Sequence, residues 1–189
     1  MNPFHVWNQP NAGGAPSIFG ALPYPKQPPN LHKFYFTYPA GGSIMNSTVV
    51  NAAGAPQLSL GDRGSAGYTK FQNPQGQTVA LVEWQRYPRV EILYLLPVKQ
   101  DVRNWLRVNS DGNFRWRTME IQGRQCMFAP HDQFIYIYLR DASGVRFMGK
   151  ISRSPSSVLL ETTQEAISLG LLNAVIVTTF LLQCGRNID

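Results

Sequence analysis

Cys126 and His131 are the two residues whose types would allow nucleophilic catalysis, a thiol near an imidazole base. They stand five residues apart across Ala129-Pro130. No nearby residue is placed to orient the base, so a buried thiol and a turn histidine are expected instead. Glu83 and Glu91 would suit acid–base work only inside an enclosing pocket. On neighbouring strands such carboxylates are ordinary surface residues. The chain carries no G-x-S-x-G, P-loop, H-E-x-x-H or G-x-G-x-x-G pattern. Its 2 cysteines and 3 scattered histidines match no metal-ligand spacing. We therefore expect no catalytic residue, no metal and no cofactor, hence a binding protein rather than an enzyme.

Charge is the stronger signal. The 189 residues carry a formal charge of +6. The span Arg86–Arg153 holds 12 basic and 6 acidic residues, while the segments on either side nearly cancel. Ten of those 12 are arginine, whose planar fork pairs bidentately with phosphate. Arg115 and Arg117 alternate with Phe114 and Trp116, and Arg146 and Lys150 share a face of a later segment. If those strands are neighbours, the four basic residues form an outer patch suited to anionic phospholipid headgroups or to a protein partner. Phe114 and Trp116 would then point inward. Nucleic acid is a poorer fit, because a stacking platform wants aromatic and basic groups on one side.

The elements that must hold these residues read as short strands. Leu31–Tyr38, Ile44–Val50, Tyr68–Phe71, Thr78–Gln85, Val90–Leu96, Asn113–Met119, Phe134–Arg140 and Val145–Ile151 are apolar or alternating. Turn signals separate them, notably Asn73-Pro74-Gln75-Gly76 and Asn109-Ser110-Asp111-Gly112. Asp101–Val108 places Val102, Trp105 and Leu106 at helical spacing. Short strands at this density predict a sandwich or barrel.

The two ends differ from this middle. Residues 1–30 hold seven prolines, no acid and only isolated aromatics, which predicts a flexible arm. Phe4, Trp7, Phe19 and Tyr24 would be its anchors on a partner or on the domain itself. It lacks the basic start and apolar run of an export signal, so a cytoplasmic protein with free thiols is expected, peripheral to a membrane where it meets one.

Ala166–Gly185 contains no charged residue, and Thr162-Thr163-Gln164-Glu165 has capping-box spacing, predicting a helix over about 163–184. Its apolar residues surround the axis, so it is buried in a core or in a membrane. Twenty helical residues span about 30 Å, enough to cross a bilayer. Ser168, Asn173, Thr178, Thr179 and Gln183 interrupt the run, and Arg186 alone supplies a basic flank. The core reading leads; the alternative is a tail-anchored membrane protein using 166–185 as its transmembrane helix.

The run Leu172–Phe180 with Arg186, the strand Asp111–Arg117 and Val82-Glu83-Trp84 together resemble a fungal family of uncharacterised domains. That family is similar to the tubby-like superfamily, which includes the LURP-one-related proteins and the phospholipid scramblases. The resemblance covers roughly residues 31–189. It implies a mainly β fold, a closed antiparallel barrel around a central hydrophobic C-terminal helix, and a non-enzymatic module with a lipid or protein partner. It transfers no binding residue. The cysteine-rich and acidic segments of scramblases have no counterpart here.

Overall fold

The computed structural model describes residues 30–39, 42–62, 67–111, 114–142, 144–154 and 157–189. The expected arm, with Phe4, Trp7, Phe19 and Tyr24, lies outside the described residues, as does the side chain of Phe114. Thirteen strands form one antiparallel sheet: β1 His32–Thr37, β2 Thr48–Asn51, β3 Pro56–Asp62, β4 Tyr68–Gln72, β5 Thr78–Glu83, β6 Arg89–Ile92, β7 Leu96–Asp101, β8 Leu106–Asp111, β9 Phe114–Ile121, β10 Arg124–His131, β11 Phe134–Asp141, β12 Gly144–Ser154 and β13 Ser157–Thr162. Three short helices accompany them: α1 Val102–Trp105, α2 Gln164–Ser168 and α3 Leu172–Gln183.

Local chemistry corrects several expectations. Ile44–Asn46 is a 3-10 turn, because the Ser43 hydroxyl accepts the Met45 N–H at 3.0 Å and turns the chain before β2 begins. The single strand expected over Val90–Leu96 is a hairpin, broken where Tyr94 takes φ +64°. Strand β10 was not expected, since Pro130 argues against a central strand. The proline is tolerated because β9 pairs only with Arg124–Phe128, so nothing beside Pro130 on that edge requires its missing N–H.

The predicted single helix is two. Thr163 caps α2, its hydroxyl accepting the Ala166 N–H at 3.2 Å, one residue later than the capping-box spacing suggested. Gly170, at φ +72°, then turns the chain so that α3 starts afresh. Every residue from Ala174 to Gln183 is buried, which is nearly three turns with no exposed face. Thr179 returns its hydroxyl to the Val175 carbonyl at 2.8 Å, so the helix satisfies it internally.

The sheet curls around α3. Phe180 meets Phe71 of β4 edge-on at 5.2 Å between ring centres, while Thr178 lies 3.2 Å from the Met119 sulfur of β9. β4 and β9 stand eight places apart in the strand order, so one flat sheet cannot touch the helix with both.

The hydrogen bonding stays open between β7 at one edge and β8 at the other. Connectivity supplies the reason. Twelve antiparallel steps separate these strands, so they run in the same direction. Parallel strands side by side need a crossover of roughly a dozen residues. The four residues of α1 cannot provide one, so β7 and β8 follow one another as offset halves of one path. The sheet is thus mainly β and strongly curved, and hydrogen bonds do not close it into a barrel.

Candidate functional site

The four expected basic residues sit in different surroundings. On β9 the alternation is the reverse of that expected. Arg117 faces inward with Met119 and Ile121 and is fully buried, whereas Trp116 joins an outer layer. Arg117 donates through Nη1 to the Leu106 carbonyl at 2.9 Å and through Nη2 to the Asp189 carboxylate at 2.8 Å. It ties edge strand β8 to the last residue of the chain and cannot also reach an outside phosphate. The expected wall role of Trp116 is corrected with it: this side chain packs on the far side of β9, near Tyr136 and Tyr138.

Arg146 sits between the carboxylates of Asp141 and Glu165, hydrogen-bonded to both. Lys150 meets Glu161 at 3.2 Å and lies 4.7 Å from the centre of the Phe134 ring. Only Arg115 among the four is exposed without a carboxylate partner. The structure does not gather the four on one free face. Apart from Asp141, their neutralising acids are Glu161, Glu165 and Asp189, which lie outside the Arg86–Arg153 span and so escape a local charge count.

The positive excess nevertheless survives on other residues. Arg107, Arg140 and Arg153 are exposed and Arg124 half-exposed; with Arg115 they have no carboxylate partner among the described residues. They lie one to a strand on β8, β9, β10, β11 and β12, which are consecutive neighbours. The segmental charge count pointed at this region; the individual residues became visible only once the ion pairs were known.

Cys126 and His131 do not meet as a nucleophile and base. An odd separation on one strand puts them on opposite faces, with Cys126 buried inward and His131 half-exposed beside Tyr136. Burial pushes the Cys126 thiol up from 9.0 to about 12 despite the opposing pull of Arg124. Cys184 is raised by burial to about 11, against hydrogen-bonding and charge effects of Arg186. Neither is a ready thiolate. Among the described residues no three His, Cys, Asp or Glu side chains come together in a way that would hold a metal.

The edges of the sheet concentrate exposed apolar groups. Tyr87, Leu93, Tyr94, Val98 and Val108 are the large hydrophobic side chains exposed among the described residues, and all fall between β5 and the end of β8. Arg103 stacks over Tyr87 at 4.1 Å from its ring centre and meets Asp101 at 3.8 Å. No helix of the described chain is long and apolar enough to cross a membrane.

No family model and no curated protein matches this chain. Among solved structures it is similar to an Arabidopsis thaliana protein known from an X-ray structure, at 8% identity and a TM-score of 0.37, covering 77% of this chain and 91% of that one.

Proposed function

We propose that this chain is a non-enzymatic binding module of tubby-like architecture that meets anionic phospholipid surfaces from the cytoplasm. The sheet acts in this reading as a barrel closed end-on through α1, with α3 as its filling. The observation that carries the function is the unneutralised arginine on each of five consecutive strands, β8 to β12. Each basic residue near an anionic surface contributes about 1 kcal/mol, and the sum falls as salt screens it. The residues differ from those expected: Arg115 remains, while Arg107, Arg124, Arg140 and Arg153 join it, and the register places Arg107, Arg124 and Arg140 toward the β9–β10 hairpin and Arg115 and Arg153 toward the opposite end of the sheet.

The test is co-sedimentation with vesicles of phosphatidylserine and phosphatidylcholine, against phosphatidylcholine alone, at low and high salt. Binding to the anionic vesicles at low salt and release at high salt is expected. Replacing Arg115, Arg140 and Arg153 together by Gln should weaken it by about two orders of magnitude, given roughly 1 kcal/mol for each. A protein that ignores anionic vesicles at low salt leaves only protein partners. One that resists both salt and alkaline carbonate washing of cell membranes supports the tail-anchored alternative.

A further inference from the structure

The offset between β7 and β8 leaves a gap in the sheet. The rungs of β8 on β9 begin with Leu106 opposite Met119, so Glu120 and Ile121 have no strand beside them on that side. The outer edge of β7 is likewise unpaired. Between them opens a cleft of about 280 Å³, lined by Gln100 of β7, Asn104 and Trp105 of α1, Glu120 of β9, and Gln122 and Gln125 at the β9–β10 hairpin.

Two features of this wall call for a ligand of mixed polarity. Trp105 is only 4% exposed, and its indole Nε1–H has no acceptor among the described residues. A buried donor of that kind is normally satisfied. The four carboxamides offer donors and acceptors alike, and one acid, Glu120, and one base, Arg107, line the cleft without pairing. Such a wall does not select a simple anion. Val98, on the same edge between Leu96 and Gln100, is 71% exposed and gives an incoming side chain an apolar contact.

We propose that the cleft accepts an extended peptide segment of a partner protein as an added strand. A peptide main chain alternates carbonyls and N–H groups at the strand repeat, matching free strand edges and carboxamides together. A segment running in the direction of β8 is antiparallel to β9 and parallel to β7. Pro97 has no N–H to offer, so pairing along β7 is confined to Val98–Asp101. This inference is independent of the phospholipid reading, whose test uses Arg115, Arg140 and Arg153 and leaves the cleft intact.

The experiment pans a display library of random dodecapeptides against the full-length protein and titrates the enriched peptides in synthetic form. Binding should slow amide exchange at Val98–Asp101 and Glu120–Ile121. Gln100→Ala with Gln125→Ala removes two carboxamides of the cleft, and should weaken binding about tenfold or more at an unchanged melting temperature. Should that variant fold poorly, Asn104→Ala should weaken binding in the same sense. The proposal is overturned if no peptide is enriched over the bare support, if the variants bind as tightly as the parent, or if protection appears on other strands. Protection of the same amides by anionic vesicles and not by peptides would assign the cleft to lipid and overturn it equally.

Discussion

The inner and outer faces of strands β9 to β12 are both rich in large side chains, yet they are built differently. Inside, Met119, Ile121, Phe128, Ile135, Ile137 and Ile151 belong to one continuous core with α3. Outside, Trp116, Met127, Phe134, Tyr136, Tyr138 and Phe147 form a separate aromatic layer, with Ala129 at its centre. Rings such as Tyr138 and Phe147 meet at 6.1 Å between centres, close to perpendicular. The difference teaches that mean hydropathy does not say which face of a strand points inward. The packing partner does: the inner side chains meet α3, and the outer ones meet one another around buried Ala129 and Tyr138. Arg117 is the extreme case. Its whole side chain, charged head included, is buried, and the Leu106 carbonyl and the Asp189 carboxylate receive the guanidinium there.

The largest expected effect falls on the inner face. Val177→Asp puts an unpaired charge against the strands in a fully buried site and should cost several kcal/mol, comparable to the whole stability of a domain of about 5–15 kcal/mol. Insoluble expression, or loss of the cooperative transition in denaturant, is the expected outcome. A cooperative, soluble V177D protein would show that α3 does not fill the sheet.

The two arginines of β9 sharpen the comparison next. Arg117→Ala leaves the Leu106 carbonyl and Asp189 without their donor and should lower stability by about 2–4 kcal/mol. Arg115→Ala, on an exposed side chain, should stay within about 0.5 kcal/mol. Urea titration of both variants measures the gap, and equal values would contradict the inward placement of Arg117.

Glycine provides a third contrast. A Cβ on Gly149 would stand 2.2 Å from the Glu161 carbonyl oxygen, so β12 and β13 must separate to admit it, whereas one on Gly61 meets nothing. Gly149→Ala should cost about 1–3 kcal/mol, as overpacking does, and Gly61→Ala well under 1 kcal/mol. Thermal melting would rank them, and the reverse order would break the β12–β13 register.

The last expected effect leaves neutral pH untouched and is confined to alkaline solution. The Cys126 thiol, raised from 9.0 to about 12 by burial, holds its proton more tightly folded than unfolded. Its contribution to stability is therefore complete below about pH 9 and is lost as pH rises from there through about 12. Replacing Cys126 by Ala, which cannot ionise, should flatten that part of the stability–pH curve. Iodoacetamide labelling of Cys126 at pH 8 should follow global unfolding, and rapid labelling of folded protein would place the thiol at an accessible surface.

Much of the architecture was legible in local chemistry. Aromatic and apolar runs marked β1, β5 and β11, alternation marked β9, Asn73–Gly76 marked the β4–β5 turn, and the spacing of Val102, Trp105 and Leu106 marked α1. Strands β3, β8, β10 and β13 were not: Leu106–Val108 belongs to β8 although its spacing reads as helical, Pro130 reads as a break, and neighbouring strands supply the pairing of all four. The candidate arginines were legible only as a regional excess. Which of them stay free depends on carboxylates that the fold delivers from α2, β13 and the last residue.

By itself the sequence determined that α3 has no polar face to turn outward, because each of its sides carries apolar groups and only a surrounding wall can cover a helix of that kind. It determined the turns too, since glycine and proline constrain their own backbone. Tertiary structure alone decided that Gly170 would split the helical run, that Arg117 would face inward while Trp116 faced outward, and that β7 and β8 would run on as offset halves. The physical reason is shared. A strand's two faces are equivalent until something packs against one of them, and a charge is free or spent according to what the distant chain brings beside it.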